Sequence, residues 1–590
     1  MHDPAHERWL DAFFRAFHAS RPVDATFIGV HDSDHVLPDF SENGAGDALA
    51  TMQDLLRRAA QLGGTGPDRH PHDQPPEPVT DPTTAIDVRL ARSHLMLQIA
   101  EYESLHFHRG NPALYTGEAV FGVMALFLTD FAPLEARVTA ATERLARVRA
   151  FLAQGRANVR AAPVAWTERA LRECEGALAF LRGGVQHLHA GWTRDHVSTR
   201  SAASFLSAAA RAAGAFAEFG GWLETDLRRH HAAQEGCGPE LFARYLREGH
   251  ALDTDAGEIE AYAEDQLGRA RRALADAITA AGVRDEAAAL ERLAALRPSV
   301  DAYYARYQVM RDEVQRIVEE HDLVTWPADP IRFVPRPAWA RAAAPHLYFL
   351  FYRSPAAFGR PDIHESLVTP IDDTMPPDQQ AALLRATNDS VIRLNHVIHH
   401  GSIGHHVQNG HAFRCASRVG RVAAVDGAAR IAMFCGGTMA EGWACYATDL
   451  MAEAGTLTSL ERVAEARSRI RMCARAIVDV RLHDGRLTVE GAASYYTQHA
   501  GMPPGAARAE AVKNSMFPGT ALIYLMGCDA IHTLRDEMRT LQGNRFSLRG
   551  FHDALLSYGS IPVSLAAADM KQREGVNARL PADDTPTEHA

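Results

Sequence analysis

Arg393–His411 reads RLNHVIHHGSIGHHVQNGH and holds His396, His399, His400, His405, His406 and His411 within sixteen residues. Imidazole is the commonest protein ligand for zinc and also suits iron and copper, so this density points to a metal. The competing reading is a polar helix whose histidines cap, pack and face water. On an ideal helix His396 and His400 share a face at i and i+4, and His399 and His406 do so at i and i+7. His399 and His405, six apart, share a face only where the helix is distorted, and Gly401 and Gly404 ease that distortion. Spacing alone does not choose the pair.

Downstream lies GGTMAEGWACYATDL, in which Glu441 follows Thr438 by three residues. That spacing suits a capping box, with hydroxyl and carboxylate satisfying the first amides of a helix. It also suits a carboxylate carried on a second helix to complete a site of two histidines and one carboxylate. Zinc hydrolases use that set and leave a position open for water.

The surrounding sequence predicts a mainly α protein. Residues 1–62 read as helices around an irregular stretch, Phe27–Ser41. The Pro- and Asp-rich segment 64–82 is expected to be a loop, its His70 and His72 solvated. From Thr83 to about Val324 the Ala-, Leu-, Arg- and Glu-rich pattern repeats at helical spacing, with breaks predicted near Gly110, Gly155, Gly191, Gly236 and Gly282. Past Pro327, ADPIRFVPRP and HLYFLFYRSP are aromatic, β-branched and bounded by prolines, which predicts a small β ribbon. Helices resume from Asp378. The expected division is an N-terminal long-helix lobe (1–325), a metal-binding lobe (326–572) and a disordered tail (573–590), with the cleft between the lobes roofed by Leu347–Tyr352.

Composition narrows the partners. A net charge of −12 argues against nucleic acid, which needs a clustered basic face. No window reaches the ~20 apolar residues of a membrane span. The N-terminus lacks the pattern of a signal peptide. Seven scattered cysteines without a C-x-x-C pair fit a reduced, cytoplasmic setting.

At these same residues the sequence resembles the bacterial family designated domain of unknown function 885, a group similar to helical zinc peptidases. The family pattern H-E-x-x-P-G-H-H-x-Q corresponds to HHGSIGHHVQ (His399–Gln408), and E-G-W-A-x-Y to EGWACY (Glu441–Tyr446). ATFIGVHDSDHVLPDFS (Ala25–Ser41), RAIVDVRLHDG (Arg475–Gly485), PGTALIYLMG (Pro518–Gly527) and FHDALLSYGSIP (Phe551–Pro562) match further family elements in order. The resemblance implies a helical, zincin-like metalloprotein with a β ribbon beside the metal cleft, its metal held by His399, His405 and Glu441. The implied ion is Zn2+, with Fe2+ as the alternative. The family's base glutamate is replaced by His400, its motif proline by Ile403, a glutamine by Thr520 and a lysine by Leu525.

His400 can serve near neutral pH as a base, as a further ligand or as a neutral donor. Tyr524 is the candidate for stabilising an oxyanion, or else a packed aromatic. Asp479 and His483, one turn apart, would orient a ligand or hold substrate, or form a buried structural pair. Arg475 and Arg481 are candidates for receiving a substrate carboxylate, and His552 for the cleft or a helix cap. Trp443 and Tyr446 read as packing residues. The expected activity is metal-dependent hydrolysis of an amide or peptide-like bond in a small molecule or short peptide. A non-hydrolytic iron enzyme and an inactive binding protein are the alternatives.

Overall fold

Helix formation follows from apolar spacing, as Thr199–Thr225 illustrates: Phe205, Ala208, Ala212, Phe216, Phe219 and Leu223 recur every three or four residues and are all buried. The computed structural model describes residues 4–62, 82–193, 195–347, 354–359, 362–371, 374–426 and 434–577. Within them the protein is mainly α, with one two-stranded sheet. The strands β1 (Ile331–Pro335) and β2 (His364–Val368) run parallel, Ile331 opposite His364 and Pro335 opposite Val368. β1 is the predicted IRFVP run. The other predicted run, HLYFLFYRSP, lies mostly outside the described residues, as does the roof expected from it; the partner of β1 is HESLV instead. Leu347 itself is buried near the Gly176 backbone, in the helix Val164–Ala179.

The helices end near Gly110, Gly191, Gly236 and Gly282 as expected, but not at Gly155. That glycine lies inside the helix Leu134–Asn158, where the Tyr115 ring occupies the space of a side chain. The irregular stretch near the N-terminus is shorter than expected, because Pro22–Ile28 forms its own helical turn. Residues 63–81, with His70 and His72, lie outside the described set. The last helix, Val563–Asn577, continues past residue 572, so the first residues assigned to a disordered tail are helical.

Four elements place the chemistry. The histidine helix (Val391–Gly401) is wound in the wide π form. The glutamate helix (Gly437–Glu453) packs on the tyrosine helix (Ile523–Gln542). The arginine helix (Ser459–His483) opens with a capping box between Thr458 and Glu461. It lies along the helix Ala256–Ala280, so helices from both sides of residue 325 share one hydrophobic core.

Candidate metal centre

The helix distortion required by His399 and His405 is present. The wide helix ends at Gly401, residues 402–404 form a link, and a new helix starts at His405. Gly404 N–H donates to the Ile398 carbonyl at 2.9 Å. A side chain at Gly404 would come within 1.9 Å of the His399 carbonyl oxygen, so this return of the chain requires glycine. π-Type widening is frequent at functional sites, because it lets a helix present side chains that regular winding would separate.

Only three of the six clustered histidines meet. His399, His400 and His405 bring one ring nitrogen each within 4.8 Å of one another. The others face elsewhere: His396 bonds and stacks with Tyr307, His406 contacts the Asp329 carbonyl at 2.7 Å, and His411 the Thr325 carbonyl at 2.8 Å. His396 is therefore not the extra ligand that its position in the cluster allowed.

Glu441, the fifth residue of its helix, points at this trio. Its Oε2 lies 3.3 Å from His399 Nε2 and 3.5 Å from His405 Nε2. That oxygen is buried and makes no hydrogen bond among the described residues. Two ligands on one tetrahedral zinc, at bond lengths of ~2.1 Å, stand about 3.4 Å apart. The observed separations match that figure, so the two nitrogens and the oxygen fit a common ion. The capping-box role for Glu441 is not what its helix uses: the start at Gly437 has no side-chain cap, and Thr438 accepts from the Val563 amide instead.

Close packing delivers the supporting groups. Gly442 and Gly527 bring the glutamate and tyrosine helices nearly into backbone contact; a Cβ on Gly527 would lie 2.1 Å from the Thr438 carbonyl oxygen. One turn before Gly527, Tyr524 donates its hydroxyl to Glu441 Oε1 at 3.1 Å. That bond leaves Oε2 to the histidines. Trp443, buried as expected, donates to the Ile403 carbonyl at 2.8 Å and ties the glutamate helix to the histidine link. Tyr446 is buried too and bonds His552, which lies in the core and not in the cleft.

Burial alone would raise the Glu441 carboxyl, but His399 and His405 hold it well below the usual carboxylate range. Burial lowers His399, and lowers His400 further with help from its two neighbouring imidazoles. His400 Nδ1 sits 2.8 Å from the Asn395 carbonyl. With Nδ1 donating there, the lone pair is on Nε2, the arrangement common to histidines that bind metals or move protons.

Asp479 and His483 stand apart from the cleft. Both are fully buried. Asp479 accepts the amides of Gly519, Ala521 and Leu522, while burial pushes its pKa up to about 7. It thereby fixes the turn that carries Tyr524. His483 accepts from the Cys237 amide and reaches the Asn514 carbonyl through its other nitrogen. Neither touches the space where a substrate would sit.

The cluster opens onto a cavity of about 660 Å³, lined also by residues of the arginine helix. A family model for bacterial proteins of unknown function, DUF885, matches residues 22–570. The chain belongs to the DUF885 family. Two solved structures are similar to this DUF885 protein over nearly their whole length. One is a "putative lipoprotein of unknown function" from Shewanella oneidensis, 20% identical, with TM-score 0.74, covering 96% of this chain and 99% of its own. The other is a "putative lipoprotein" from Colwellia psychrerythraea, 16% identical, with TM-score 0.74, covering 97% and 99%. At these identities the likeness establishes the fold. No curated protein matches the sequence.

Two features of this DUF885 chain escaped the sequence reading. Asp449, Cys528 and His532 form a second cluster, with His532 Nε2 2.8 Å from Asp449 Oδ2. The pairs Cys445/Asp449 and Cys528/His532, each one turn apart on facing helices, are the signal that could have found it. The other is Arg471, which lines the same cavity as the histidine trio. No helix among the described residues is long and apolar enough to cross a membrane.

Proposed function

We propose that this DUF885 protein is a zincin-like, metal-dependent hydrolase of an amide or peptide-like bond in a small molecule or short peptide. One observation carries the reading. A buried carboxylate oxygen with no hydrogen bond among the described residues stands at tetrahedral ligand spacing from two imidazole nitrogens, at the edge of a cavity. Zn2+ is the ion we assign, because two histidines and one carboxylate with an open side are its usual catalytic set. When bound, it supplies Lewis acidity toward a carbonyl and lowers the pKa of a bound water to ~7.

The chain's own groups supply the remaining chemistry. His399, His405 and Glu441 hold the ion. His400 takes a proton at Nε2, with Nδ1 anchored on the Asn395 carbonyl, and returns it to the leaving amine. Tyr524 holds Glu441 in place and stands at the cavity wall, where its hydroxyl can turn toward a developing oxyanion.

A second reading is favoured by His400 lying so close to His399 and His405. Three imidazoles and a carboxylate make a nitrogen-rich site suited to Fe2+ and to chemistry other than hydrolysis. Elemental analysis of protein purified without a tag, with amide turnover compared in air and under nitrogen, separates the two. Zinc at one per chain with oxygen-independent turnover supports the hydrolase. Iron with oxygen-dependent turnover replaces it, and metal without turnover of any amide refutes both enzymatic readings.

The scattered cysteines are the ground for expecting a cytoplasmic location. The description of both structural neighbours as lipoproteins favours the cell envelope instead. Fractionation of the native host decides between them.

A further inference from the structure

The two arginines expected to receive a substrate carboxylate are already committed. Arg475 donates to Glu510 at 2.8 Å and lies 4.4 Å over the Tyr524 ring. Arg481 donates to Glu260 at 2.6 Å and to Glu264. Arg471, one turn before Arg475 on the same helix, lines the same cavity as the histidine trio. It has neither a hydrogen bond nor an ion pair among the described residues.

Arg471 is half-buried in the cavity wall, and its guanidinium is free to pair with an acidic group that enters the cavity. Burial lowers the Arg471 pKa to about 10, aided by the nearby Arg475, and leaves the group charged at neutral pH. The corner is cationic within a chain of net charge −12. Arg471, Arg475 and Lys513 all act on the single carboxylate of Glu510. Burial pushes that carboxyl up, but the three cations pull it down to about 2. One carboxylate does not neutralise three cations, and Arg471 reaches it only through space, with no hydrogen bond or ion pair among the described residues.

Tyr524 and Arg475 connect this corner to the histidine trio. Tyr524 touches Glu441 at one end and carries Arg475 on its ring. Arg471 is one helical pitch, about 5.4 Å, further along. Arg471 and the histidine trio thus line one cavity from different helices.

We propose that Arg471 is the carboxylate-binding residue of this cleft, and that the substrate is a small amide carrying a free carboxylate. This rests on the hydrolase reading for the word substrate, but not for the binding itself. A guanidinium offers a planar pair of N–H donors that a carboxylate accepts side by side.

The test is calorimetric titration of the zinc-loaded full chain with N-benzoylglycine, with N-benzoylglycinamide and with inorganic phosphate. Wild type, Arg471→Met, Arg471→Lys and the metal-poor His399→Ala are compared. The expected result is that N-benzoylglycine binds wild type and His399→Ala alike, weakens about 10–100-fold in Arg471→Met, and weakens less in Arg471→Lys. The amide should bind weakly everywhere. Unchanged affinity in Arg471→Met overturns the proposal, as does absence of binding to wild type. Loss in His399→Ala but not in Arg471→Met means the carboxylate sits on the metal, and also overturns it. Phosphate binding that outcompetes the carboxylate overturns the ligand class. If Arg471→Met melts below wild type, the Arg471→Lys comparison decides alone: full wild-type affinity for the amide and the acid alike refutes the site. Because binding is read without turnover, a protein that hydrolyses nothing refutes the hydrolase and leaves this result standing.

Discussion

Replacing Gly527 by alanine should loosen the metal site from a distance. The added Cβ would stand 2.1 Å from the Thr438 carbonyl oxygen, whereas such atoms stay about 3 Å apart. The tyrosine and glutamate helices must therefore separate by about 1 Å. Overpacking of this kind costs about 1–3 kcal/mol, so the melting temperature should fall by a few degrees. The larger effect is local. Tyr524 reaches Glu441 across 3.1 Å, and moving it away by about 1 Å breaks the bond that leaves Oε2 to the histidines. Loss of such a supporting contact typically weakens metal binding 10–100-fold. The assay is competition for zinc against a chromophoric chelator, run alongside thermal melts. Gly214→Ala is the control, since that helical glycine has only a distant arginine tip nearby and the change should be neutral or slightly stabilising. Tyr524→Phe should reproduce the affinity loss without the drop in stability. A Gly527→Ala protein with wild-type zinc affinity would refute the idea that this helix contact sets the site.

His399→Ala, His405→Ala or Glu441→Ala should each remove most bound metal, read by elemental analysis; full occupancy in Glu441→Ala would move the third ligand elsewhere. His400→Ala should keep the metal and lower kcat/KM by about 10²–10⁴, while His400→Glu should retain or raise hydrolysis; metal loss in His400→Ala makes it a ligand instead. Trp443→Phe leaves the buried Ile403 carbonyl without its donor and should cost about 1–3 kcal/mol in chemical denaturation. Glu465 has its pKa raised to about 7, by burial and then by Asp449. A raised carboxyl favours the folded state below its unfolded value of 4.5 and loses that contribution as pH climbs through about 7. Glu465→Gln should therefore stabilise the protein at pH 8 and not at pH 4.5; equal effects at both would exclude the titration.

The helical architecture was readable because apolar spacing is a local property, as in Thr199–Thr225. Gly155 misled for the opposite reason: its role is set by the Tyr115 ring, forty residues away in sequence. The choice of candidate ligands among the histidines was open on spacing and was narrowed by family resemblance. The structure adds why His396, His406 and His411 stand aside, each held by a partner (Tyr307, Asp329 or Thr325) at least 77 residues distant. Asp479 and His483 looked like site residues because a carboxylate and an imidazole one turn apart carry the same letters whether they face a cavity or a backbone turn. Arg471 could not be singled out from its neighbours Arg467, Arg469 and Arg475. What distinguishes it is the partner it lacks.

The tether from Trp443 to Ile403 bears on how the protein would take up the proposed ion. Glu441, His399 and His405 are brought together by contacts of the polypeptide itself, including that indole hydrogen bond and the paired glycines of two helices. These contacts hold the three groups together without calling on an ion, unlike small zinc domains that fold only around their metal. Stripping with a chelator should leave the far-ultraviolet spectrum unchanged, and refilling should be rapid and need no refolding. Such a socket would accept whichever suitable ion the cell supplies in greatest free concentration, so that its occupancy would report the metal economy of its compartment.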